Sequence, residues 1–266
     1  MTTTLPEVRE SDAGRSTDRP AVALSGVTKV YGQGSASLVA LENISLSVAP
    51  GQFVCLVGAS GCGKSTLLNL VAGLDAPTAG GIEVEGGVTP GLMFQEPALF
   101  PWLTVEQNVA LPLRLRGVGR RQRLERAREL LDVVRLGEFA RKRPHELSGG
   151  MRQRVSLART LALDTPVLLM DEPFGALDAM TRDLLHDELE RIWVERDLTI
   201  VFVTHNVREA ARLADRIVLL SSRPGRVVED RPVDIPRPRT IDSPEVATLA
   251  ADITTRLREE VRRHGH

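Results

Sequence analysis

GASGCGKS, at residues 58–65, combines three glycines with a lysine and a serine at the spacing G-x-x-x-x-G-K-S. Glycines let successive backbone amides close around phosphate oxygens, while the lysine supplies a point charge and the serine a hydroxyl for Mg²⁺. Gly58, Ala59, Ser60, Gly61, Cys62, Gly63, Lys64, Ser65 and Thr66 are therefore the candidate cradle of a nucleoside triphosphate, ATP by preference. Within that loop Cys62 reads as a small filler residue. A second chemical stretch, VLLMDEP at 167–173, ends an apolar run in two acids. Adjacent carboxylates at a strand end point different ways and can divide the labour. Asp171 would hold Mg²⁺ through its water shell, and Glu172 would orient and deprotonate an attacking water.

Further residues could join them. His205 ends the apolar run LTIVFVTH and could donate to a γ-phosphate; its other reading is a satisfied strand-end histidine. Gln95, in LMFQEP, could coordinate Mg²⁺ or position water through its amide. Tyr31 is the single tyrosine of the chain, and its ring could stack on a base or simply pack. LSGGMRQR at 147–154 reads as a glycine turn entering a helix, with Ser148 as cap and Gly149 and Gly150 leaving backbone amides bare. Exposed amides at a helix N-terminus suit an anion. One chain thus carries two phosphate-facing surfaces, Gly58–Thr66 and Leu147–Gln153. A head-to-tail pair of chains, each closing the other's triphosphate, is the economical use of both.

The elements that must position these groups alternate. AVALSGVTKVY and LVALENISLSVAP read as strands. GQFVCLVG is a buried strand running into the glycine loop, KSTLLNLVAGL a helix, and GIEVEG another strand. The pattern turns helical at TVEQNVALPL, where Thr104 and Gln107 have capping-box spacing. RQRLERARELLDVVRL follows, with Leu124, Ala127, Leu131 and Val134 on one face. TRDLLHDELERIWVE is amphipathic, with Leu184, Leu185, Leu189 and Ile192 inward, and RIVLLSSRPGRVVED is a hairpin turning at Pro224-Gly225. A last helix starts at Ser243-Pro244-Glu245 and carries Val246, Leu249, Ile253 and Leu257 on one face. Hydrophobic strands alternating with helices predict an α/β fold with a mostly parallel sheet covered on both faces. The reading divides the chain into a polar tail (1–20), an ATPase domain (21–235) with a helical subdomain inserted at about 97–160, and a C-terminal extension (236–266).

Bulk properties exclude several classes. With 266 residues the chain can bury a real core, and 42% hydrophobic with 26% charged residues is ordinary for a globular protein. A formal net charge of −1 gives no global field toward nucleic acid. No apolar run reaches the roughly 18–20 residues needed to span a bilayer, and the start lacks the apolar stretch of a secretory signal. Two cysteines, Cys55 and Cys62, make neither a disulfide framework nor a metal site.

GASGCGKST, Gln95, LSGGMRQR, VLLMDEP, GALD and His205 occur in the order found in the ATP-binding subunits of ABC transporters, which the chain resembles over about residues 21–235. The resemblance implies a P-loop core with an antiparallel β subdomain and an inserted helical subdomain. It implies Tyr31 as adenine-stacking ring, Gln95 as lever to the helical subdomain, and His205 as switch. Glu172 would be the general base and Asp178 the loop acid communicating across a dimer. Leu147, Ser148, Gly149, Gly150, Met151, Arg152 and Gln153 would face the partner chain's ATP. QEPALFPWLTVEQNV and SSRPGRVVED resemble the importers for nitrate, sulfonates and taurine. In such a protein Leu99, Phe100, Pro101 and Trp102 form an exposed apolar groove for a permease helix, core packing being their other reading. The expected assembly is a homodimer on the cytoplasmic face of the inner membrane, bound to permease subunits and served indirectly by an extracytoplasmic solute-binding protein. An exporter or lipoprotein-release ATPase would share the catalytic motifs. A DNA-repair relative would need a long coiled coil between the glycine loop and LSGG, and none is present.

Overall fold

The computed structural model describes residues 19–264, so nearly all of the expected tail, and the last two residues, lie outside the described residues. Four strands supply the centre of the molecule: β3 (Phe53–Gly58), β6 (Val167–Asp171), β7 (Thr199–Val203) and β8 (Arg216–Leu220). Their apolar runs are buried almost throughout, as parallel strands covered on both faces must be. With β5 (Gly91–Met93) and β9 (Val227–Pro232) they form a six-stranded sheet in the order β5-β6-β7-β3-β8-β9, parallel except for β9 at its edge. Register aligns the carboxyl ends: Asp171 sits opposite Val203, and Gly58 opposite Leu220. Whatever follows β3, β5, β6 and β7 therefore emerges along one edge of the sheet, where ligands bind in open α/β folds.

A second, antiparallel sheet of β1 (Val22–Tyr31), β2 (Leu38–Val48) and β4 (Ala79–Val84) runs in the order β2-β1-β4. Val22, Val27, Leu41, Ile44 and Val48 pack there with Leu67 and Leu68 of α1 (Lys64–Val71) and with Val54, Leu56, Leu169 and Val203 of the large sheet. The opposite face of the large sheet carries the bigger core, built on Phe53, Met170 and Phe202. It is covered by α5 (Ala179–Arg196), α6 (Val207–Leu213) and α7 (Pro244–His264).

Between β5 and β6 the chain makes three helices, α2 (Val105–Leu115), α3 (Arg120–Val133) and α4 (Gly149–Leu161). Val105, Val109, Ala127, Leu130, Leu131, Val134, Val155 and Ala158 interlock them. The Thr104–Gln107 capping box forms in both directions, at 3.2 and 2.9 Å. Buried Asn108 bonds the backbone of Phe100 and Thr104, fixing the turn before α2.

Two expectations change. Leu184 is 39% exposed, and His186 takes the buried position beside Leu185, Leu189 and Ile192. At 100° per residue Leu184 lies well off the arc shared by the other four. In addition, α6 lies between the strand ending at Val203 and the hairpin, where the sequence pattern marks no helix; its cap is Asn206, whose Oδ1 accepts from the N–H groups of Arg208 and Glu209. The final helix does carry Val246 and Ile253 buried, with Leu249 and Leu257 partly buried against the core. No helix among the described residues is long and apolar enough to cross a membrane.

Candidate functional site

The glycine loop leaves β3 at Gly58, where an added Cβ would meet Cys62 Sγ at 2.8 Å and the Leu220 carbonyl oxygen at 3.0 Å. Gly61 and Gly63 have φ of +76° and +106°, conformations that glycine adopts without steric cost. A turn closes between them and Ala59, whose carbonyl accepts from Cys62 N–H at 3.3 Å. Gly63 precedes α1 without a side-chain cap, so the first amides of that helix are available to an anion. Lys64 is buried and folds back across the loop, donating to the carbonyl oxygens of Gly58 (2.8 Å) and Ala59 (2.9 Å). Cys62 is buried, consistent with its filler reading.

Beside this loop stands Asp171, the buried last residue of β6. Burial pushes its carboxyl above the usual range; the charge of Glu172 acts the same way, while the Ser65 hydroxyl bond and the Lys64 charge oppose it. Ser65 and Asp171 thus form an all-oxygen pair in which a negative charge lacks full compensation, which suits a hard divalent cation. Among the described residues no cluster of three or more His, Cys, Asp or Glu could hold a metal.

Glu172 departs from the strand with φ of +48°, its N–H donating to the Val203 carbonyl at 2.9 Å. This turn separates its side chain from that of Asp171. Its Oε2 lies 3.0 Å from Nδ1 of His205 and accepts from Nε2 of Gln95 at 3.4 Å. Three residues separated by dozens of positions, Gln95, Glu172 and His205, therefore meet at the ends of β5, β6 and β7. A recess of about 30 Å³, room for a water, is lined by Glu172, Gly175, His205 and Asn206 among others.

Behind His205 lies a buried network that sequence reasoning missed. Glu209 on α6 bonds His186 Nε2 at 2.7 Å and accepts from the Thr204 hydroxyl; Thr204 Oγ1 in turn accepts from Asn206 N–H at 3.0 Å. The signal was present in Asn206 followed three residues later by Glu209, the spacing of a helix start.

Gln95 is linked to the helical block as well. Its carbonyl accepts from buried Gln153 at 3.4 Å, and Arg159 donates to the carbonyls of Pro97 and Ala98, each at 2.8 Å. Both residues belong to α4, the helix that LSGG opens. Ser148 caps it, accepting from Met151 N–H at 3.2 Å, and Arg152 donates to the Leu147 carbonyl at 2.7 Å. A Cβ on Gly150 would meet Leu177 Cδ2 at 3.0 Å, so the glycine turn packs on the GALD loop. Asp178 ends that loop and caps α5; the Thr181 backbone bond holds its carboxyl below the usual range. Among the described residues no hydrogen bond or ion pair joins Leu147–Gln153 to Gly58–Thr66.

Tyr31, 40% exposed at the end of β1, also stands apart. Its hydroxyl donates to Asp75 at 3.2 Å, and Lys29, paired with Asp75 at 2.6 Å, lies 4.9 Å from the ring centroid. Phe100 and Trp102 are 37% and 66% exposed with ring centroids 5.4 Å apart. Leu99 departs from the expected exposed cluster: it is half-buried and packs against the large core.

A phosphate loop after one strand, paired acids after another, and a histidine and a glutamine converging on the second acid define a P-loop ATPase. The chain belongs to the ABC transporter family, whose model matches residues 41–175, and it is an ATP-hydrolysing member. It is 44% identical over 262 residues to an uncharacterized ABC transporter ATP-binding protein of Methanocaldococcus jannaschii, covering 96% of this chain and 98% of the relative. It is 48% identical over 219 residues to a nitrate import ATP-binding protein of Synechocystis sp., covering 80% and 82%. A taurine import ATP-binding protein of Burkholderia pseudomallei is 49% identical over 217 residues, covering 79% and 84%. Among solved structures, a dimeric ATP-binding cassette in a post-hydrolysis state bound to ADP and Pi superposes with a TM-score of 0.74. It is 35% identical, covering 80% of this chain and 99% of that one.

Proposed function

We propose that the chain is the ATPase subunit of an importer for a small solute such as nitrate, a sulfonate or taurine, working as an ATP-dependent homodimer on permease subunits. The observation that carries the dimer is that the two phosphate-facing surfaces belong to different elements, the loop between β3 and α1 and the start of α4. Lys64, Ser65, Asp171 and Glu172 gather at one sheet edge, whereas the Ser148–Gly150 helix start opens from α4 without joining them. Resemblance to a dimeric cassette supports the same arrangement. In it the backbone of Gly58–Thr66 and the Lys64 ammonium hold ATP, Tyr31 stacks on its base, and Ser148, Gly149 and Gly150 of the second copy complete the γ-phosphate shell.

Ser65, Asp171 and Gln95 would hold Mg²⁺, which when bound neutralises charge on the phosphates. Glu172, held by His205 and Gln95, takes a proton from the attacking water, and His205 donates to the phosphoryl oxygens. Asp178, at the foot of the loop packed on Gly150, carries the state of one site toward the other. The resulting boundaries are an ATPase domain over 21–235 containing the helical subdomain at 97–160, followed by the C-terminal extension. Phe100, Pro101 and Trp102, with Leu99 anchoring them, form the permease-docking surface on the cytoplasmic side of the membrane. The solute is chosen by the permease and by an extracytoplasmic binding protein.

The test is light scattering of the Glu172→Gln variant with and without Mg·ATP, together with co-purification of a co-expressed permease. ATP-dependent doubling of mass and permease capture are expected. A protein that stays monomeric and captures no permease contradicts the proposal.

A further inference from the structure

The turn joining β8 to β9 packs directly on the phosphate loop. Gly225 donates its N–H to the Ala40 carbonyl and accepts from Glu42 N–H, both at 2.9 Å, which pins the turn to β2. A Cβ on Gly225 would lie 2.2 Å from the Cys62 carbonyl oxygen. Ser221 closes the turn, its hydroxyl donating to the Pro224 carbonyl at 2.8 Å and accepting from Arg226 N–H at 2.9 Å. Arg226 adds an ion pair to Glu42 at 2.7 Å. From this anchored turn the exposed side chain of Arg223 reaches back to the loop. Its Nε and Nη2 both donate to the carbonyl oxygen of Gly61, at 3.2 and 3.0 Å.

We propose that Arg223 is a positioning residue for nucleotide binding, its guanidinium holding the Gly61–Cys62 peptide and with it the turn that Cys62 N–H closes on the Ala59 carbonyl, so that the loop keeps its shape around the triphosphate. Gly61, with left-handed φ, leads into that peptide, and a glycine offers the least steric resistance to rotation of the peptide plane that follows it. A trans peptide is planar, so fixing the Gly61 carbonyl also fixes the Cys62 N–H. The guanidinium suits the task because its donors form a rigid fork, which an ammonium group lacks. Holding the loop before ligand arrives removes an ordering cost from binding and leaves the chemical step alone.

The proposal rests on Gly58–Thr66 being the triphosphate site, and titration of wild-type protein with Mg·ATP tests that separately. Absence of binding there would refute the site itself. Given wild-type binding, Arg223→Ala should raise Kd for Mg·ATP by roughly fivefold to tenfold, only part of the worth of its two hydrogen bonds to Gly61 because the side chain is exposed. Turnover at saturating ATP should stay within about twofold, so that the change falls in KM rather than kcat. The melting temperature without nucleotide should stay within about 2 °C, since the side chain is exposed. Arg223→Lys, which keeps the charge and loses the fork, should bind nearly as weakly as the alanine variant. Gly225→Ala, which pushes the turn off Cys62, should weaken binding in the same direction with Arg223 intact. Unchanged affinity in Arg223→Ala overturns the proposal; full rescue by Arg223→Lys does so too, because it would assign the effect to charge alone.

Discussion

The two surfaces able to face a triphosphate rest on different frames. Around Gly58–Thr66 the groups stand at the ends of strands of one buried sheet or on the helix that β3 leads into, and side chains already bond one another: Ser65 with Asp171, and Glu172 with His205 and Gln95. The LSGG surface issues from a helical block tied to that sheet's ligand edge by a few contacts, Gln153 and Arg159 on the 95–98 backbone and Gly150 on Leu177. The first surface is organised by strand register, the second by packing between helices. On the proposed function, chemistry belongs to the sheet edge and its completion to the helical block.

The sharpest way to break this division is Glu172→Gln, which removes the base while leaving the neutral contacts to Gln95 and His205 possible. Turnover should fall by about 10²–10⁴-fold with ATP still bound, measured by phosphate release and equilibrium binding. A variant hydrolysing at the wild-type rate would remove Glu172 from the chemistry. Lys64→Ala comes next. At ATP a hundredfold above the wild-type Kd, roughly 3 kcal/mol of ligand-linked stabilisation should vanish from thermal unfolding curves. Retention of that shift would mean the loop does not hold the phosphates.

Ser148→Glu sharpens the contrast from the other side, setting a carboxylate where the second copy's γ-phosphate would dock. Hydrolysis should fall by roughly tenfold or more through like-charge repulsion, while ATP affinity of dilute, monomeric protein should change by less than about twofold. Equal losses in both assays would place LSGG in its own chain's site. The smallest effect is expected from Trp102→Ala, an exposed residue remote from the phosphates. Hydrolysis by the isolated chain should stay within about twofold while co-purification of permease is lost.

Much of the sheet edge could be read from residues alone, because each motif carries its own geometry. GASGCGKS needs a strand before it and a helix after it, and β3 and α1 provide them. VLLMDEP and LTIVFVTH are too continuously apolar to be anything but buried strands, so their terminal residues had to share an edge. What stayed hidden depends on contacts between distant segments. Leucine spacing alone places Leu184 inward; the buried arc is settled by His186 finding Glu209 across 23 positions. The seven-residue α6 is too short for a clear period, and its cap was the only cue. Arg223 belonged to a hairpin turn in the sequence, and only the pairing of Gly225 with β2 brings it onto Gly61, 162 positions away.

The chain holds two tryptophans in opposite surroundings. Trp193 is nearly buried, its indole N–H bonded to the Gly51 carbonyl at 3.0 Å, with Phe53 edge-on and the Arg237 guanidinium 4.4 Å above the ring. Trp102 stands in solvent beside Phe100. Native emission should accordingly divide into a component that iodide quenches and one that it does not. Association with a membrane partner can then be followed without a dye, as loss of the quenchable fraction while the shielded one reports an unchanged interior.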